Sequence, residues 1–239
     1  MDDDAPPAAP PRLLVLDVNE TLSDLRPLHD RFEEVGLPGH LAVPWFLGTL
    51  RDGMAFTVTG DNPAFADLGR DSFRALAAPR PDAPADLDAA AERVLRGFLD
   101  LPLHPDVAPG LTTLSRNGFR LVTFSVGSAS VAQGLLERTG LEDVVERVLS
   151  CADAPAWKPS LDAYGWALGC CGVDAAEAMM VAVHPWDLHG AGRAGMRTAY
   201  VDRTGIPYPP TMRPPDLTVS SFTELAERLG DRTGLSFPP

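Results

Sequence analysis

Short, wholly apolar runs alternate along this chain with longer segments in which apolar residues recur every three or four positions. The first run, RLLVLD at 12–17, is closed by an acid and reads as a buried strand ending at Asp17. From Leu25 to Leu103 the period becomes helical, in RPLHDRFEEVGL, PWFLGTLRDGMAF, PAFADLGRDSFRALA and ADLDAAAERVLRGFL, each punctuated at its ends by Gly, Pro or Asp. HPDVAPGL then resets the chain. After it, the strand patterns FRLVTF, VVERVLS, AMMVAV, RTAYVD and LTVS alternate with the helical patterns SASVAQGLLERTG, SLDAYGWALGCCG, LHGAGRAG and FTELAERLG. Strands alternating with helices predict an α/β fold, a parallel sheet covered by helices on both faces. The first strand belongs with the later set. The pattern therefore divides the chain into a core of residues 12–24 and 105–230, a helical cap inserted at 25–104, a disordered tail at 1–11 and a second tail at 231–239.

Ligands of an open parallel sheet bind outside the carboxyl ends of its strands, near the point where strand order reverses. The polar residues that follow strands are Asp17, Asn19 and Thr21; Ser125, Gly127 and Ser128; His184, Trp186 and Asp187; and Asp202. Lys158 precedes a helix from which it can reach the same edge. An excess of 33 acids over 20 bases, a formal charge of −13, excludes nucleic acid held mainly through its phosphates. Of those 20 bases Lys158 is the single lysine, so arginine serves as the general surface cation and this position needs a compact ammonium. The three cysteines (Cys151, Cys170, Cys171) lack metal-ligand spacing, and neither a secretory leader nor a membrane-length apolar run is present. A soluble, cytoplasmic protein without a membrane partner is the expectation.

An Asp closing a buried strand, an isolated Lys, a hydroxyl and a second Asp on separate loops form a set suited to nucleophilic catalysis by carboxylate. Asp17 attacks, Lys158 keeps it ionised and balances Asp187, and Ser125 with nearby amides stabilises charge on the substrate. Asp187 holds Lys158 or orients the hydrolytic water. The pair His184 and His189, with Asp187 between, lacks the spacing of a metal cluster, and His184 is read as a pocket-lining residue.

LDVNETL at 16–22, Ser125 after LVTF, Lys158 in WKPS and Asp187 in HPWDLHGA resemble, in order and spacing, the four motifs of the haloacid dehalogenase superfamily. Within it the chain looks most like the L-2-haloacid dehalogenase group, because the helical insertion follows the first motif and Tyr164 stands six residues after Lys158. The resemblance implies a Rossmann-like core with a helical cap, Asp17 as nucleophile, Thr21 in the site and a covalent aspartyl ester. It also implies a homodimer. Superfamily phosphatases usually carry Asp two residues after the nucleophile. This chain has Asn19, and a carboxamide cannot protonate a leaving alcohol, so attack at carbon is favoured over attack at phosphorus.

The chain departs from the dehalogenase pattern in the cap, where a Trp-Arg pair there supplies a halide-binding Arg. Here Trp45 precedes Phe46, and the nearest arginine is Arg51. Val126 replaces an Asn, while Ala182 and His184 replace Ser and Asn. Trp45, Phe46, Tyr164 and Trp186 then predict an aromatic pocket for a small organic acid, with Asn19, Arg51, Val126, Gly127 and His184 also contacting substrate. The expected activity is attack by Asp17 on C2 of a small 2-substituted carboxylic acid, without a cofactor. The alternatives are opening of a strained ring such as azetidine-2-carboxylate, a Mg²⁺-dependent phosphatase using Asp17, Asn19 and Asp187 as ligands, and a small-acid binding protein that has lost turnover.

Overall fold

The computed structural model describes residues 11–230, so the two predicted tails, Pro11 apart, lie outside the described residues. Six strands form a parallel sheet: β1 (Leu13–Leu16), β2 (Arg120–Ser125), β3 (Arg147–Ser150), β4 (Ala178–Ala182), β5 (Arg197–Val201) and β6 (Leu217–Val219). Their order is β3-β2-β1-β4-β5-β6. Leu16 pairs with Thr123 of β2 on one side and Val181 of β4 on the other. Between β1 and β4 the chain turns from one half of the sheet to the other, and the crevice at their carboxyl ends is the expected ligand position.

The two-residue period of the strands sorts their side chains into two cores. Leu13 and Val15 face one side, with Val122, Phe124, Ala178 and Met180. Leu14 and Leu16 face the other, with Leu121, Met179 and Val181. The second core is closed by α5 (Val107–Arg116), α6 (Ala129–Thr139) and α9 (Phe222–Leu229). The first is closed by α7 (Leu161–Cys171) and α8 (Pro185–Arg193), and it runs on into the helices inserted after β1.

Those inserted helices are α1 (Leu28–Glu34), α2 (Ala42–Thr59), α3 (Phe65–Ala77) and α4 (Leu87–Arg96). Phe32, Trp45, Phe73 and Phe98 form their centre, with ring centroids of Phe32 and Trp45 5.7 Å apart. The two chain crossings between core and cap are joined, Asp24 N–H donating to Pro102 O and His104 N–H to Leu22 O, both at 2.9 Å. On another side Asn62 Nδ2 donates to Cys151 O and Ala154 O, and Trp157 Nε1 donates to Pro63 O. The cap is thus tied to the loop that carries Lys158.

One element escaped the sequence pattern. HPDVAPGL, read as a break, contains the start of α5. Pro109 is the third residue of that helix, in the first turn, where the missing N–H costs no hydrogen bond. Among the described residues no helix is long and apolar enough to cross a membrane.

Candidate active site

Asp17 is the first residue after β1, and its N–H is bound by Val181 O. Asp17 is 3% exposed, and its carboxylate meets three donors from separate segments of the chain. Lys158 Nζ donates to Oδ1 at 2.9 Å, while Oδ2 accepts from Thr21 Oγ1 at 2.7 Å and from His184 Nδ1 at 3.1 Å. Thr21 Oγ1 is itself fixed by Val183 N–H. Burial alone pushes the Asp17 carboxyl up, but the ammonium and the His184 and Thr21 hydrogen bonds outweigh it and hold it well below the usual carboxylate range.

Lys158 is fully buried and makes three hydrogen bonds, to Asp17, to Asp187 Oδ2 at 2.7 Å and to Phe124 O at 2.9 Å. Those three acceptors match the three donors of an ammonium. Burial would strip its proton, yet Asp17 and Asp187 more than offset this and hold it above the ordinary lysine value. Asp187, also fully buried, accepts from Tyr164 Oη at 2.6 Å. Burial raises its pKa, Lys158 draws it down only in part, and the charge of Asp17 raises it further.

His184, the residue before α8, lies between two carboxylates. Nδ1 faces Asp17 Oδ2, and Nε2 faces Glu20 Oε2 at 2.8 Å. Both nitrogens face carboxylate oxygens, an arrangement that the doubly protonated ring satisfies with a donor on each side. Burial lowers the pKa of the ring, but the hydrogen bonds to Asp17 and Glu20 bring it up to about 9. Trp186 packs against this ring, with centroids 5.2 Å apart.

Two cavities flank this cluster. A smaller one, about 190 Å³, is lined by Asn19, Ser125, Val126 and Gly127 from the core and by Phe65 and Phe98 from the cap. The larger, about 600 Å³, is lined by Glu20 and His184, by Phe46 of α2, and by Asp202 and Arg203 after β5.

The geometry brings Asp17, Thr21, Lys158, Tyr164, His184 and Asp187 into one hydrogen-bonded network and sets Asn19, Ser125, Val126 and Gly127 around the smaller cavity. Four expectations need correction. Trp45 is no pocket wall: it is fully buried in the cap, where Nε1 donates to Gly69 O, because an indole inside needs an acceptor for its N–H. Arg51 turns to solvent and pairs with Asp52, outside both cavities. Tyr164 is behind Asp187 and touches neither cavity. Trp186 supports His184 without lining either cavity. Sequence reasoning missed Glu20. The one signal was its place between Asn19 and Thr21 in the first motif; its partner lies 164 residues away, and its left-handed backbone (φ 63°) is seen only in the fold.

The residues named for Mg²⁺ do not fit a cation. The Lys158 ammonium bridges Asp17 and Asp187, where a metal would compete with a fixed positive charge, and the remaining oxygens face Thr21, His184 and Tyr164 donors. Among the described residues no group of three or more His, Cys, Asp or Glu can hold a metal ion. Cys151, buried beside Lys158, is no alternative nucleophile, since burial pushes its thiol up to about 12.

Comparison with known proteins adds the following. A haloacid dehalogenase-like hydrolase family model matches residues 11–195. The (S)-2-haloacid dehalogenase 4A of Burkholderia cepacia is 30% identical over 140 residues, 59% of this chain and 61% of that protein. The phosphoserine phosphatase of Thermus thermophilus is 32% identical over 160 residues, 66% of this chain and 64% of that protein. The chain thus spans under two thirds of the length of these curated relatives. A crystal structure of a dehalogenase with an intermediate complex superposes with a TM-score of 0.83 at 26% identity, covering 91% of this chain and 96% of that one.

Proposed function

The chain belongs to the haloacid dehalogenase-like hydrolase family, and on that premise we propose that it hydrolyses small 2-substituted carboxylic acids at carbon, with Asp17 as nucleophile. One Asp17 oxygen forms a bond to C2 while the bond from C2 to the leaving group breaks, its electron pair departing with that group and C2 inverting. Water then adds to Cγ of the aspartyl ester, the bond between Cγ and the substrate-bound oxygen breaks, and a 2-hydroxy acid leaves.

The observation that carries this reading is the buried, ionised Asp17, bridged to Asp187 by the Lys158 ammonium, with a carboxamide two residues on. Asn19 has no proton to give a leaving alcohol. His184 is acidic, but both its N–H groups are engaged on the nucleophile's side, and an in-line leaving group departs from the opposite side. A phosphatase would therefore lack its acid.

His184 and Glu20 handle the second step. While Asp17 is ionised it helps to keep His184 protonated; an ester removes that charge and that acceptor, and burial then favours the neutral ring. A neutral His184 next to Cγ is placed to take the proton of the attacking water, steered by Glu20, with the larger cavity as its solvent route.

A second reading concerns the leaving group. Arg26 and Arg203, the two arginines that line the larger cavity, are paired with Asp24 and Asp106, and none lines the smaller one. A halide would find no free guanidinium. A strained cyclic amine such as azetidine-2-carboxylate, whose ring ammonium leaves as a neutral amine, needs none.

The test is metal-free turnover of 2-chloropropionate, haloacetates and L-azetidine-2-carboxylate, with p-nitrophenyl phosphate plus Mg²⁺ beside them. Halide or ring-opened product is expected, and a single turnover in ¹⁸O-water should place the label in Asp17 first. Asp17→Asn should be inactive. Phosphate release alone, or label appearing directly in product, would overturn the reading.

A further inference from the structure

The smaller cavity joins a polar floor to apolar walls. A Cβ at Gly127 would lie 3.3 Å from Ser125 Oγ and 3.6 Å from Asn19 Nδ2, so the bare glycine keeps open the space that these two donors share. Asn19 Nδ2 is buried without a hydrogen-bond partner. Ser125 Oγ accepts the Gly127 N–H at 2.9 Å, and its own proton is uncommitted. Two donors without acceptors in a buried crevice call for an acceptor on the ligand. Above this floor the walls are Phe65, Leu95, Phe98, Val126, Val131 and Ala132. No cationic side chain lines the cavity.

We propose that this cavity selects the side chain of the substrate: the carboxylate rests on Asn19 and Ser125, and an apolar chain of about four carbons on C2 fills the space between cap and α6. The proposal rests on the reading of Asp17 given above and deepens it, by naming a substrate longer than the two- and three-carbon acids. About 190 Å³ is room for about six waters at about 30 Å³ each, more than a C2 methyl group occupies. The excess volume is walled by carbon, where water gains little, so each added methylene displaces poorly held solvent. At about fourfold per buried methylene, three more should give about sixtyfold.

The experiment compares kcat/KM for (S)-2-bromohexanoate and (S)-2-bromopropionate by halide release, in the natural protein and in Val131→Phe and Leu95→Ala. The six-carbon acid should be preferred by about sixtyfold. Val131→Phe should cut that preference at least tenfold, and Leu95→Ala should move it toward 2-bromooctanoate. Equal use of both acids, or a Val131→Phe variant that loses both in the same proportion, would overturn the proposal while leaving the Asp17 chemistry standing. If neither acid releases halide, halide displacement at this site falls, the Asp17 reading is decided by the ring-opening arm of the test above, and calorimetric binding of hexanoate against propionate decides for the pocket. Tenfold tighter hexanoate, weakened by Val131→Phe, supports it; equal affinities overturn it.

Discussion

Lys158 carries the electrostatic balance of the site, because its ammonium bridges both buried carboxylates, Asp17 and Asp187. Replacing it with Met leaves Asp17 and Asp187 facing each other in a low-dielectric space. Breaking a buried pair in this way costs about 3–5 kcal/mol, so urea denaturation of Lys158→Met should show a loss of that size, together with loss of turnover. His184 gives a pH signature. Its folded pKa of about 9 stands above the ordinary 6.5, so its contribution to stability is complete below about pH 6.5 and fades as pH rises through about 9. Asp17 works in the opposite sense, contributing above its ordinary 3.8 and losing that contribution as pH falls further. The stability gap between the natural protein and His184→Asn should therefore shrink between about pH 6.5 and 9, and a gap that stays flat across that window refutes the assignment. If His184 is the base for ester hydrolysis, the same variant should slow that step by about 10²–10⁴-fold. Alkylated Asp17 would then accumulate and be visible in the intact mass.

Single-residue chemistry was unevenly legible. Asp17, Lys158 and Asp187 stood out because strand ends and a lone lysine are visible in one dimension. Glu20 and the contact of His184 with Asp17 did not, since a hydrogen bond across two strand ends leaves no mark in local spacing.

Helices and loops place these groups, and their weak points are local. Asp86 caps α4, its Oδ1 accepting from Asp88 N and Ala89 N. Asp86→Ala should cost about 1 kcal/mol, read from the thermal midpoint, with little effect on activity. Gly53 matters more. A Cβ there would lie 2.3 Å from the Trp157 ring, which stacks on Phe65 and precedes Lys158. Gly53→Ala must push α2 off the core loop, at about 1–3 kcal/mol for overpacking, and should reduce kcat because the loop that moves carries the ammonium. Unchanged kinetics in a destabilised Gly53→Ala would mean that the cap does not position Lys158. The elements themselves were mostly readable. Four cap helices and the alternating strands follow their hydrophobic periods, and only α5 was hidden, since a proline in a first turn looks the same as a proline in a break.

The chain as a whole is acidic, with a formal charge of −13, while its proposed substrates are anions. Mutual repulsion should slow encounter at low salt. Raising ionic strength from about 0.01 to about 0.15 M shortens the screening length from about 30 to about 8 Å, so KM for a carboxylate substrate should fall with added salt. A KM that rises instead would point to an attractive field at the cavity mouth that the overall charge hides.

Sequence by itself determined the α/β architecture and the helical insertion, and it singled out Asp17, Lys158 and Asp187 as candidates, because periodicity, element order and residues adjacent to strand ends are properties of the chain read in one dimension. Tertiary structure decided which aromatic and cationic side chains face the cavities. Helical periodicity tells an inward face from an outward one but cannot say whether inward means the cap's own core, as for Trp45, or a cavity, as for Phe46. Nor can it foresee that Lys158 and His184, 141 and 167 residues from Asp17 in sequence, meet the same carboxylate. Such contacts depend on where separate loops converge, and that convergence exists only once the sheet has set its strand order.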